Sequence, residues 1–209
     1  MIELIQETIL LLSFLLPVTA LYIQGQAYFN PAIKVVGVQS LIIGVISLIY
    51  YFLTGNVEFI VLAGRIFFTR VFLTPYILLR TVKYREWDRE RVKVLSIFVL
   101  NLTFFFSATL LVAYAVFTRA IPTEYEQVIM PMTLFFQGLF LIASRKSTVA
   151  HILGYIELEN SLVMLGIFLI PPPILIDATV FLDVLALVVI SSIIIVEKRD
   201  HEPLEELTG

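Results

Sequence analysis

Hydrophobic residues fall into seven long runs along the chain: Leu4–Ile23, Lys34–Leu53, Val57–Leu79, Val92–Phe117, Gln127–Ala143, Thr148–Ile170 and Ile174–Val196. Each approaches or exceeds the roughly 20 mostly apolar residues that a helix needs to cross the hydrocarbon core. Turn and helix breakers separate them: Asn30–Pro31, Thr54–Gly55–Asn56, Pro122 and Pro171–Pro172–Pro173. The longest polar stretch, Arg80–Arg91, carries charges of both signs and the only tryptophan, Trp87. The pattern predicts an all-α integral membrane protein, a single membrane domain over residues 1–209 with seven transmembrane helices.

The basic residues give this arrangement a direction. Seven spans put Lys34, Arg80, Lys83, Arg85, Arg89, Arg91, Lys93, Arg145, Lys146, Lys198 and Arg199 on one side and only Arg119 on the other, where Glu3, Glu7, Glu58, Glu124 and Glu126 collect. Basic loops stay in the cytoplasm, so the N-terminus is expected outside and the C-terminus inside. An even number of spans would spoil the separation. The first run lacks a basic n-region and a small-residue cleavage site, so it is expected to stay as a span.

Composition narrows the chemistry. The chain is 59% hydrophobic over 209 residues, against about 45–50% in soluble domains, which leaves no room for a sizeable aqueous domain. With no cysteine, thiolate zinc sites, cysteine-held iron–sulfur clusters and thiol nucleophiles are excluded. The net charge of −3 and its dispersal give no basic face for nucleic acid. No nucleotide loop, nucleophile elbow or metal-ligand cluster occurs, and no internal repeat suggests a stand-alone transporter.

What remains is charge where charge is costly. Arg65 and Arg70 lie inside the third run, roughly 12 and 20 Å from its start at 1.5 Å per residue. The sixth run contains His151, Glu157 and Glu159, and the seventh Asp177 near its outer end and Asp183 near mid-depth. Each charge at a span's centre costs on the order of 2.5–3.5 kcal/mol. Such groups either lock helices together as ion pairs or mark proton and ion relays. Glu157 and Glu159 sit about 200° apart around a helix, so they face different neighbours, and Glu159 is the deeper. His151, one turn from the cytoplasmic end, is either a relay member or an interfacial anchor. Asp177, after the proline run, is expected to be partly wetted and ranks behind Asp183. Gln39, Asn101 and Gln137 are expected to join helices by hydrogen bonds, and Gly138, Gly154 and Gly166 to mark close packing.

The segment Ser144-Arg-Lys-Ser-Thr-Val-Ala-His-Ile-Leu-Gly-Tyr-Ile-Glu-Leu-Glu-Asn160 resembles the signature of HyfE-like proteins, the E component of hydrogenase-4 energy-converting hydrogenases and relatives of the NuoK subunit of complex I. Arg70-Val-Phe-Leu-Thr-Pro75 resembles the family's basic residue five positions before a proline. Ile176-Asp-Ala-Thr-Val-Phe-Leu-Asp-Val-Leu185 is similar to its acidic pattern in the last span, and Leu204-Glu-Glu-Leu-Thr-Gly209 to its short tail. The resemblance covers most of the chain, with residues 127–199 as a NuoK-like unit.

It implies a non-catalytic membrane-arm subunit of a complex I-related, group-four nickel–iron hydrogenase or formate hydrogenlyase in the cytoplasmic membrane. Glu159, Asp183 and Arg70 would carry charge coupling beside antiporter-like membrane partners. The nickel–iron centre and iron–sulfur clusters would reside in partner subunits, with no cofactor on this chain. Three departures from the family stand out. Arginine replaces lysine at position 70, making it a fixed charge rather than a proton carrier. Glu157 and Arg65 are additions that could pair with each other or with a partner. The glutamate also falls about a turn later than in NuoK itself. An Mrp-type cation/proton antiporter assembly and a structural spacer are the rival expectations.

Overall fold

The computed structural model describes residues 2–83, 98–105 and 126–199, and these are almost wholly helical. The helices are α1 (Ile2–Gly25), α2 (Phe29–Thr54), α3 (Val57–Ile66), a π-helical segment Phe67–Leu73, α4 (Thr74–Lys83), α5 (98–105), α6 (Glu126–Ser144), α7 (Thr148–Leu169) and α8 (Pro172–Arg199). Among the described residues, four helices are long and apolar enough to cross a membrane: α1, α2, α6 and α7. The chain is a membrane protein. The expected fourth span, Val92–Phe117, lies largely outside the described residues; its part at 98–105 is helical.

Two helix starts fall earlier than the apolar runs predict. Asn30 and Pro31 sit inside the first turn of α2, which begins at Phe29 rather than Lys34. Pro172 and Pro173 likewise open α8 instead of preceding it. The reason is the same at both. The first helical turn has no intrahelical acceptor for its N–H groups, so proline loses nothing there. The Thr54–Gly55–Asn56 turn is as expected. Gly55 takes φ 67° and closes α2 through its N–H on the Tyr51 carbonyl, while Asn56 caps α3 by accepting from the Glu58 N–H at 3.0 Å.

α2 and α7 form the centre of the bundle, with 61% and 67% of their most apolar stretches buried against 28% in α1 and in α6. α1 packs on α2 and α6, α7 on α2, α6 and α8, and the continuous helix of α3, the π-segment and α4 packs on α2 and α8. Two apolar clusters divide the interior by height. One joins Leu16, Ile43, Ile46, Leu62, Leu134 and Met164. The other joins Ile33, Val36, Leu78, Leu141, Leu153 and Ile156. Between them lies a polar layer. Gln39 and Ser40 on α2, Arg70 on the third span, Gln137 on α6, and Glu157, Glu159, Asn160 and Ser161 on α7 are all buried within it.

Candidate ion-coupling site

The third span carries its two arginines through an irregular turn. In the π-segment the backbone bonds reach one residue further than in an α-helix, and the Thr74 N–H meets the Thr69 carbonyl. Pro75 follows directly, with no N–H to continue an α register and a ring that would crowd the carbonyl one turn back. α2 makes room for the widened turn with two glycines. A methyl group on Gly44 would come 2.7 Å from the Phe67 ring, and one on Gly37 would come 3.2 Å from the Pro75 ring.

The turn matters because of what it aims. Residues five apart on an α-helix point about 140° away from each other. The wider π turn narrows that angle, and Arg65 and Arg70 both reach Asp183 of α8. Arg65 Nη2 donates to Asp183 Oδ2 at 3.1 Å, and Arg70 Nε donates to Oδ1 at 2.8 Å. Arg65 Nη1 also donates to the Ile176 carbonyl at 3.0 Å and to Thr179 Oγ1 at 3.3 Å. The Thr69 hydroxyl lies 3.3 Å from Asp183 Oδ2 and 2.9 Å from the Arg65 carbonyl.

Arg70 continues the chain toward α7. Its Nη2 lies 3.1 Å from Glu159 Oε1 and 2.8 Å from Asp183 Oδ1, and Nη1 donates to Asn160 Oδ1 at 3.3 Å. Arg70 and Glu159 are each 3% exposed. The two carboxylates are held differently. Asp183 receives directional hydrogen bonds from both arginines, whereas Glu159 Oε1 is at ion-pair distance from Arg70 Nη2 without a hydrogen bond on either atom. Glu159 is the loosely held member. Tyr155, one turn earlier on α7, also keeps its buried hydroxyl without a partner among the described residues. Two guanidinium groups against two ionised carboxylates leave the cluster neutral, and one proton taken up makes it a cation.

Asn160 anchors this cluster to α2. Its Nδ2 donates to Gln39 Oε1 at 2.9 Å and to Ser40 Oγ at 3.1 Å. Gln39 Nε2 in turn donates to Thr19 Oγ1 of α1 at 3.2 Å. Gln39, Asn101 and Gln137 act as the expected helix ties, the last two through a bond of 2.6 Å.

Of the seven candidates in the sequence, Arg65, Arg70, Glu159 and Asp183 come together. Glu157 and Arg65 do not pair. Arg65 turns to Asp183, and Glu157 is fully buried on the other side of α7 with neither oxygen bonded among the described residues. His151 lies apart from the cluster and makes an anchoring contact. Its Nε2 donates to the Arg145 carbonyl at 2.7 Å, while Arg145 Nη2 donates to the Gln24 and Gln26 carbonyls at 2.6 and 3.1 Å. Together they tie the α6–α7 turn to the end of α1. Asp177 is exposed near the start of α8 and takes no part. Thr69 and Thr179 belong to the site but were not legible from sequence, since a threonine in an apolar run carries no signal until an arginine lies beside it. Comparison with protein-family models, curated proteins and solved structures finds no match to this chain.

Proposed function

We propose that this protein is a non-catalytic membrane-arm subunit of a complex I-related, Hyf-type nickel–iron hydrogenase or formate hydrogenlyase. In this reading it lies in the cytoplasmic membrane with seven spans, the N-terminus outside and the C-terminus in the cytoplasm, and meets antiporter-like subunits. The redox centres belong to the soluble module, and this chain binds no cofactor. The observation that supports the reading best is the buried series Arg65–Asp183–Arg70–Glu159, which joins three spans at mid-depth. It rests besides on the motif likeness of Ser144–Asn160, Arg70–Pro75 and Ile176–Leu185.

The chemistry follows from the unequal grip on the two carboxylates. Asp183, bound by both arginines, is a fixed counter-charge. Glu159 Oε1 meets Arg70 off the hydrogen-bond line, so a small shift of either helix separates them. A carboxylate parted from its guanidinium in a dry interior takes a proton. The return of the guanidinium releases it. Arg70 never gives up its own proton and works as the electrostatic lever. A redox-driven displacement of charge in a neighbouring subunit would set the cycle going.

In the intact complex, Glu159→Gln is expected to lower ions pumped per electron severalfold while hydrogen evolution with a soluble electron donor stays near wild type. An unchanged pumping ratio would end the assignment. Mass spectrometry of what co-purifies from native membranes separates the assemblies. Hydrogenase subunits beside antiporter-like ones support this reading, and antiporter-like ones alone point to an Mrp-type exchanger.

A further inference from the structure

We propose that Glu157 is a separate proton-binding site, a neutral carboxylic acid held in the seam between α6 and α7 and apart from the arginine-paired carboxylates. The proposal rests on the packing of α7 and stands whichever complex the chain joins.

The place of Glu157 follows from its neighbours one turn away. A methyl group on Gly154, three residues before it, would come 2.9 Å from the Gly138 carbonyl oxygen of α6. Ser161, four residues after it, donates its hydroxyl to the Pro131 carbonyl of α6 at 2.6 Å. Residues three and four apart share a helix face, so Glu157 lies on the α6 side, while Glu159 looks toward Arg70. The side chain is 0% exposed, and neither oxygen has a hydrogen-bond partner among the described residues.

Among the described residues, no cation is placed to neutralise an ionised form there. α1 and α6 contain no lysine, arginine or histidine, and neither does 98–105. On α2 the one basic residue, Lys34, is exposed near the helix start. Arg65 and Arg70 are engaged by Asp183 and Glu159. His151 of α7 is bonded to the Arg145 carbonyl. α8 brings Asp177 and Asp183, both acidic, and its Lys198 and Arg199 stand at its far end. A fully desolvated, unpaired carboxylate is prohibitive, and such a group takes a proton instead.

The adjoining polar side chains are short of donors as well. Gln137, next to Gly138, accepts from Asn101 Nδ2 on its side chain and from Gln24 Nε2 on its carbonyl. Gln24 Oε1 and Asn101 Oδ1 are buried without a donor among the described residues.

Infrared spectroscopy of the full chain in lipid tests this. The carbonyl stretch of a protonated carboxylic acid should be present, shift in deuterium oxide, vanish in Glu157→Gln and survive in Glu159→Gln. A spectrum unchanged by Glu157→Gln overturns the proposal. Should that variant fail to insert, the wild-type chain decides through a hydrophobic carbodiimide. The acid proton passes to a carbodiimide nitrogen as the carboxyl oxygen bonds the central carbon, and acyl migration to nitrogen gives a stable N-acylurea with no leaving group. Peptide mapping is then expected to find the adduct on Glu157, with Glu159 and Asp183 clean. Glu157 left unmodified overturns the proposal.

Discussion

Asp183 accepts from two arginines on two different oxygens, and that makes it the keystone of the buried charges. Replacing it with asparagine leaves two guanidinium groups against one carboxylate. Breaking a buried pair on one side costs about 3–5 kcal/mol, because the remaining charge is stranded. Asp183→Asn is therefore expected to lower the thermal unfolding temperature in detergent well below that of Glu159→Gln, which removes a single undirected contact. Equal losses in the two variants would show that the carboxylates are gripped alike. The acidic and basic members could be picked out of the sequence because a charge at mid-span depth is rare enough to announce itself. Their pairing could not. Whether Arg65 meets Glu157 or Asp183 depends on which faces of α7 and α8 turn toward the third span, and the hydrophobicity of those runs is nearly uniform around the helix.

The described helices were readable to within about a turn and a half, since length and apolarity fix where a span lies. Two things escaped that reading. Proline marks a boundary in sequence, yet Pro31 and Pro172 stand inside the helices they begin. The π-segment has no signature beyond Pro75, and it is the element that lets residues five apart converge on one carboxylate. Close packing at Gly138 and Gly154 is expected from sequence; the structure shows that it joins α6 to α7, and it carries a measurable cost. A side chain on Gly138 would begin with a Cβ 2.8 Å from the Gly154 carbonyl oxygen and 3.0 Å from the Leu158 nitrogen. Both are backbone atoms, so the helices must part. Overpacking of this kind costs roughly 1–3 kcal/mol, and Gly138→Val is expected to lower the yield and unfolding temperature of the inserted protein accordingly. A wild-type melting curve for Gly138→Val would mean that α6 and α7 approach less closely.

At the scale of the molecule, the charged layer is closed toward one membrane face by the cluster around Ile46, Leu62 and Met164, and toward the other by that around Ile33, Leu78 and Leu153. Apolar plugs of this size offer few hydrogen-bonding stations to a proton or a hydrated ion. Liposomes holding this chain alone are expected to keep an imposed pH gradient as long as empty ones, and rapid decay of the gradient would contradict the closure. On the proposed role, the two plugs act as insulation around a conductor that runs edgewise. On that role, current would enter and leave through the flanks, and each junction with a neighbouring subunit would be a place where the circuit can be cut.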